Sequence, residues 1–400
     1  MKDKSEQLWN RDFINILIVQ FCIQMGQQMM NSLVPKFADA LGGSAYIVGL
    51  VSSVFSISAI LILVVATPAF DCLSKKKLLI VSLGGMALAF AGYGMSTTIP
   101  ALFAFRLMHG ICQGCSSALT LVMVGDSLPA SKMGKGIGIF TLCQAVGQAV
   151  GPGFGLSMSA SIGYRATFLI GAAVMILSFL FSFRIRESEK PKGVYRIALN
   201  RIIDWGAVPA AVVTFLLQGP YCCISSFIAI YAGLRNVPDI GLYFTVYALC
   251  LLVTRPISGA MIDKIGHDLV LIFGIVCFGI SFFLISIAQS LIVFLAAAVV
   301  SALGYGVCQP TLNYMCISCA PKSHRGAASS TNSIGMSLGF FLGVSSAGYL
   351  VDWLNARMGS EVAAYSNMYL IMILPMAVAL IYFLIMRRRI AQSIQRYSAA

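Results

Sequence analysis

Long apolar runs separated by short polar stretches make up most of the 400-residue chain. A bilayer span needs about 20 consecutive, mostly apolar residues. Twelve runs reach that length: 13–35, 46–69, 77–96, 99–125, 136–159, 164–183, 205–233, 240–261, 269–288, 290–318, 326–350 and 364–386. Hydrocarbon offers no water to unpaired N–H and C=O groups, so each run is expected to be helical. The longest polar interruption, 184–204 (RIRESEKPKGVYRIALNRIID), falls between the sixth and seventh runs. It predicts an N-terminal group of six spans (1–184), a linker loop (185–204) and a C-terminal group of six (205–400). The fold class is therefore all-α integral membrane, twelve transmembrane helices in two six-helix bundles.

The two groups repeat one pattern. Gly138, Gly147, Gly151 and Gly155 in the fifth run return as Gly326, Gly335, Gly339 and Gly343 in the eleventh, each 188 positions later. Four matched glycines at one offset argue for duplication and two stacked bundles, with a cavity expected at their interface near the bilayer midplane. Within the fifth run, Gly147, Gly151 and Gly155 form one bare stripe that lets a neighbouring helix approach backbone to backbone. Pro152 removes one backbone donor there and bends the helix.

Composition agrees: 58% of residues are hydrophobic, 10% are charged, and mean hydropathy is +0.88. The net charge of +13 suggests nucleic acid, but the Lys and Arg residues are scattered over short loops instead of forming a patch, and that reading is rejected. The 12 cysteines have neither metal nor disulfide spacing and read as small apolar fillers. No metal or cofactor is expected. The N-terminus is polar through Asp12 with no cleavage site, so the first run is expected to be a retained span. One set of loops holds Lys2, Lys4 and Arg11; Lys75 to Lys77; Lys132 and Lys135; Arg184 to Arg201; Lys264; Lys322 and Arg325; and Arg387 to Arg389. The other holds only Lys36, Arg165, Arg235 and Arg357. Lys/Arg excess marks the cytoplasmic side. A multi-pass protein of the cell membrane with both termini in the cytoplasm follows.

The stretch GIFTLCQAVGQAVGPGFG, residues 138–155, resembles the antiporter motif of helix 5 in the major facilitator superfamily, in its drug:proton antiporter branch; that motif ends in two glycines, and the second is Leu156 here. Gly259, Asp263, Lys264 and Gly266 (GAMIDKIGHD) resemble the superfamily's loop motif G-x3-D-[RK]-x-G between spans 8 and 9. The matching first-half loop, TPAFDCLSKKK, keeps only Asp71 and the basic run. The resemblance implies that this loop locks the cytoplasmic side. Arg106, His109, Gly110 and Gly114 (RLMHGICQG) resemble the span-4 motif R-x-x-Q-G-x-x-x-G, with His109 where Gln is usual, and Gly163, Arg165 and Phe168 resemble the opening of span 6. The resemblance covers essentially the whole chain. It implies a major facilitator fold and transport by alternating access.

Candidate working residues follow from what does not belong in hydrocarbon. Arg106 lies roughly 9 Å inside its span at 1.5 Å per residue, where a charge costs about 2.5–3.5 kcal/mol even on a mild scale. His109 and Gln113 share its helix face. Gln20, Gln24, Gln27 and Asn31 form one polar stripe on the first span, read as a cavity wall with interhelical hydrogen bonding as the alternative. Gln144 and Gln148 on span 5, Gln218 and Tyr221 beside a Gly219-Pro220 break in span 7, Tyr305, Gln309 and Asn313 on span 10, and Asn332 on span 11 complete the expected substrate-binding set. No Asp or Glu lies deep in a span. If protons couple transport, His109, with an unperturbed pKa near neutral, is the best carrier; Asp126 or Asp71 at the inner mouth is the alternative.

The expected function is proton-coupled efflux of a small organic compound by a monomer. The alternative is uptake or exchange of an organic anion, which the cations Arg106 and His109 would suit. A non-transporting sensor would need a signalling domain or long tail, and an enzyme would need a catalytic constellation; neither is expected. The Lys/Arg asymmetry yields a direct test. In a Cys-less background, Ser188→Cys should resist an impermeant thiol reagent in intact cells and react after permeabilisation; labelling of intact cells would invert the topology.

Overall fold

The computed structural model describes residues 8–129, 132–186, 203–321 and 324–398; for 63–72, 133–134, 255–260, 262–263, 265, 325 and 397–398 it describes the backbone alone. Most of the predicted linker lies outside the described residues. Thirteen helices are described: α1 Arg11–Ala40, α2 Ala45–Cys72, α3 Lys75–Met95, α4 Ile99–Ser127, α5 Met133–Ile162, α6 Tyr164–Ser182, α7 Val208–Leu234, α8 Gly241–Ile265, α9 His267–Ile287, α10 Leu291–Ser318, α11 Arg325–Met358, α12 Glu361–Ile371 and α13 Ile373–Ser398. Among the described residues eleven stretches are long and apolar enough to cross a membrane, with Glu361–Arg396, which contains α12 and α13, counted as one. The protein is an all-α, multi-pass membrane protein.

Two local expectations are corrected. Span 7 is not broken at Gly219-Pro220: α7 runs through both as one helix, with Pro220 inside it. Proline removes a single backbone hydrogen bond, and Gly219 sits against the backbone of Gly339 and Gly343, which supports the chain there. Asp71 belongs to the last turn of α2 rather than to the loop after it; its side chain is outside the described residues.

Helix ends obey ordinary capping chemistry. Asn10 accepts from Phe13 N at 2.8 Å, Ser74 from Lys77 N at 3.2 Å, and Ser360 from Ala363 N at 3.3 Å, each satisfying an otherwise orphaned first-turn donor. Gly163, Gly266 and Gly359 take positive φ where chains turn between helices.

The helices form two compact units. The first contains α1, the part of α2 from Val54 on, and α3 to α6; the second contains Gly42–Ser53 and α7 to α13. In the second unit Asp352 of α11 caps α2, its two carboxylate oxygens accepting Ala45 N at 2.9 Å and Tyr46 N at 3.0 Å. Ser53 and Ser345 hydroxyls meet at 2.8 Å on the same seam.

Each unit contains the same close helix pair. In the first, α5 lies on α1: a Cβ added at Gly151 would sit 2.6 Å from Met25 O, and Gly147 and Gly155 face Gln24 and Met29 equally closely. In the second, α11 lies on α7: a Cβ at Gly335 would sit 2.7 Å from Ala211 O, Gly339 meets Phe215 O and Gln218 Cβ, and Gly343 meets the backbone of Gly219. Gly151 touches Met25 O and Gln28 Cβ while Gly339 touches Phe215 O and Gln218 Cβ, so the α1 and α7 partners are related by an offset of 190. A second pairing repeats too. Gly110 faces Phe55 and Ser58, and Gly306 faces Leu251 and Thr254, an offset of 196 in both helices. The duplication visible in the glycines is a duplication of contacts.

A side chain at Gly151, Gly335, Gly339 or Gly343 has to displace backbone, which costs about 1–3 kcal/mol in a packed interior. Gly138 and Gly326, at the start of the same helices, have nothing within 4 Å. Gly151→Ala and Gly339→Ala should therefore lower the detergent-solubilised melting temperature, and Gly138→Ala and Gly326→Ala should leave it unchanged. Equal melting temperatures for all four variants would show that the stripes are not close contacts.

Candidate functional site

In the first unit the polar stripe of α1 faces α4. Thr120 donates to Gln20 Oε1 at 2.7 Å, Gln113 Nε2 donates to Gln27 Oε1 at 2.6 Å, and Arg106 Nη2 donates to Asn31 Oδ1 at 2.9 Å. As the α1 number rises the α4 number falls, the register of antiparallel neighbours. Gln113 also donates to Ser117 Oγ at 3.0 Å, and Asn31 donates to Gln28 Oε1 at 3.1 Å. The stripe thus forms a ladder of interhelical hydrogen bonds. Gln24 is half-buried, with its Cβ against Gly147. Gln144 and Gln148 are half-buried on α5.

Arg106 and His109 are both fully buried at 0% exposure. The guanidinium sits over the Phe55 ring at 4.7 Å, a favourable cation–π distance. Arg106 Nη1 reaches His109 Nδ1 at 3.5 Å, and Tyr93 Oη lies 3.1 Å from the same nitrogen. Arginine can only donate, so Nδ1 accepts and the neutral ring's proton is assigned to Nε2. His109 is enclosed by the rings of Phe55 at 4.9 Å, Phe90 at 4.8 Å and Tyr93 at 6.1 Å. Its Nε2 has no hydrogen-bond partner. Asp126, at the end of α4, pairs with Lys75 Nζ at 2.7 Å, both about one-third exposed.

In the second unit Gln218 accepts from Tyr305 Oη and donates to Cys222 Sγ at 3.2 Å. Tyr221 stacks on Tyr305 with centroids 4.0 Å apart and planes within 10°. Asn332 accepts from Thr214 at 2.8 Å and donates to Asn313 at 3.4 Å. Gln309 is half-buried beside Pro310. Pro152 is buried inside α5, and Lys264 is exposed just before Gly266, which caps α9. The Asp263 side chain and Gly259 are among the residues described at the backbone alone.

Several partners were invisible in sequence. Gln28 stands next to Gln27, off the 20-24-27-31 spacing. Phe55, Tyr93 and Phe90 sit on helices with no polar periodicity, and only the fold brings them to His109.

Two helical units that repeat the same close helix contacts, with a buried polar seam in each, are the build of a solute transporter. The family model described as Major Facilitator Superfamily matches residues 16–237 and 210–398, and the chain belongs to that superfamily. It is a transporter rather than an enzyme. It is 20% identical over 385 residues to the staphylopine export protein of Staphylococcus aureus, covering 92% of this chain and 94% of that one. It is 32% identical over 162 residues to a probable sphingolipid transporter, spinster homolog 1, of Arabidopsis thaliana, but this covers 40% of the chain and 30% of the relative. The crystal structure of nucleoside transporter NupG superposes with a TM-score of 0.78 at 14% identity, over 94% of this chain and 98% of that one, which shows a shared fold.

The ladder generates a test of its own. Interhelical side-chain hydrogen bonds in membrane proteins average about 0.6 kcal/mol and reach about 1.7 kcal/mol. A double-mutant cycle on Gln27→Leu and Gln113→Leu, read by reversible unfolding in bicelles, should give a coupling energy in that range. Strict additivity would mean that the two amides do not interact.

Proposed function

We propose that the protein is a secondary active transporter that exports a small organic solute by alternating access, and that the solute is an anion bound through Arg106. The observation that carries the reading is the full burial of Arg106 among Asn31, His109 and the Phe55 ring, all of them neutral. A cation this deep in a span is costly to keep, and an anionic cargo is the solute whose charge it complements. Export is supported by the helix 5 stretch and by two similar proteins, the staphylopine exporter and, over 31% of this chain, citrate exporter 1 of Yarrowia lipolytica. We assign the chain to the cell membrane as a monomer of two six-helix halves joined through residues 185–204, with cytoplasmic termini, on the Lys/Arg asymmetry. The carboxamides of α1, α5, α7, α10 and α11 supply the remaining substrate contacts.

For coupling we propose protons, with His109 as carrier and Asp126 as the alternative. A proton on His109 Nδ1 and the Arg106 contact at the same nitrogen exclude each other. Drawing Arg106 toward an anion therefore opens His109 to a proton, so anion and proton bind cooperatively. This linkage favours the second reading, uptake or exchange of an anion together with a proton.

Counterflow in proteoliposomes against drugs, sugars and organic acids, under pH gradients of both signs, separates the readings. Export by antiport requires acid on the receiving side to accelerate flux; co-transport requires acid on the side of the anion. Arg106→Gln should weaken an organic anion about tenfold or more, as expected for loss of a charge-assisted hydrogen bond, and weaken a neutral solute less. His109→Gln should flatten the pH profile while binding survives. A normal pH profile in that variant would remove His109 from coupling and leave Asp126.

A further inference from the structure

In the first unit, His109 Nδ1 has one lone pair and two neighbours that compete for it. Arg106 Nη1 stands 3.5 Å away and Tyr93 Oη 3.1 Å away. The two differ in what they can do next. A guanidinium only donates, whereas a phenol both donates and accepts. The Tyr93 hydroxyl also reaches the backbone oxygen of Phe105 at 3.4 Å, so its hydrogen has two places to go. We infer that Tyr93 is the positioning residue for the coupling proton: its hydroxyl donates to neutral His109 and, turned toward Phe105, accepts from the ring once Nδ1 is protonated. The inference rests on the reading of His109 as proton carrier given above.

The packing of Tyr93 suits this part. It is fully buried on α3, stacked on Phe90 at 6.0 Å and tilted against Phe168 of α6 at 5.6 Å. The ring is held, and only the hydroxyl hydrogen has to turn. His109 Nε2 has no hydrogen-bond partner, so the difference between the neutral and the charged ring is felt at Nδ1. Among the described residues, the charged or titratable groups that face the pair are Arg106, which also meets the Tyr93 hydroxyl, and Cys112 beside Tyr93. Phe55 of α2 and Phe90 of α3 form apolar walls. Arg106 opposes a second charge, and of the two groups at Nδ1 only the phenol oxygen can accept an Nδ1–H. A hydrogen bond from a charged donor is roughly twice as strong as one between neutral groups. Tyr93 therefore supports the charged ring more than the neutral one.

His109 is one of three histidines, so nitrogen NMR of the full, histidine-labelled chain in nanodiscs follows it directly, with the assignment made by its loss in His109→Gln. The titrant is acid. Tyr93→Phe keeps the ring and should need roughly tenfold more acid to half-protonate His109, whereas Arg106→Gln should need less. Tyr93→Phe is compared in both the parent and the Arg106→Gln chain, so the shift is read where the guanidinium holds the ring neutral. A second readout leaves Tyr93 in place and holds where Tyr93→Phe fails to fold: the Nδ1 proton that appears on acidification should show a through-space contact to a tyrosine ring. An unmoved half-point in Tyr93→Phe, with or without a lower melting temperature, or an Nδ1 proton without a tyrosine contact, overturns the role of Tyr93 and leaves His109 as carrier. A His109 that stays neutral throughout, Arg106→Gln included, overturns both.

Discussion

The approach of α5 to α1, and of α11 to α7, is the constraint on which the rest of each unit depends. Two helices in lipid gain nothing from hiding apolar surface, because the surrounding chains are equally apolar. They associate where backbones come close enough for dispersion contacts over many atoms. The stripes Gly147-Gly151-Gly155 and Gly335-Gly339-Gly343 permit that approach. Once α5 occupies one side of α1, the rotation of α1 is fixed. Its carboxamides then turn toward α4, and the ladder from Gln20–Thr120 to Asn31–Arg106 becomes possible. The polar seam is thus downstream of the glycines.

The ladder also explains how a charge is tolerated at depth. Arg106 is fully buried on α4. The nearest partners spread its charge: a carboxamide oxygen, an aromatic face and an imidazole nitrogen. Every Asp and Glu among the described residues lies within two turns of a helix end or in a connection. There they cap or pair, as Asp352 does at the start of α2 and Asp126 does with Lys75. Among the described residues the carboxylates lie where water and helix ends satisfy them, and the deep cation lies against a carboxamide, an imidazole and an aromatic face.

Much of this was legible in the sequence because membranes leave few options. Run length dictates spans, and the 188-residue glycine offset dictates a repeat. The stripe Gln20, Gln24, Gln27, Asn31 correctly marked a polar face, but periodicity cannot distinguish a face that borders a cavity from one bonded to a neighbour; most of these groups meet α4. Tyr93 and Phe55 were illegible for a different reason. They lie on oily helices, and their role comes from which helix the fold sets beside His109. Gly219-Pro220 misled in the opposite direction: a pair that breaks helices in water continues α7 here, because lipid penalises an open backbone and Gly343 packs against the site.

Duplication sharpens the question of where function resides. Positions that match across the repeat, such as the glycines, Gln28 with Gln218 and Ser58 with Thr254, keep helices in register and are required of any protein with this fold. They say little about cargo. Positions that diverge within an otherwise preserved contact are under a different demand, since packing alone was already solved once with the other residue. Phe55 against Leu251, Arg106 against Ala302, His109 against Tyr305 and Asn31 against Tyr221 are such positions; the first-unit members adjoin Arg106, and in the second unit Tyr221 stacks on Tyr305. Four departures gathered at one level of a duplicated scaffold are hard to attribute to drift in packing. They are where the two units stopped being copies.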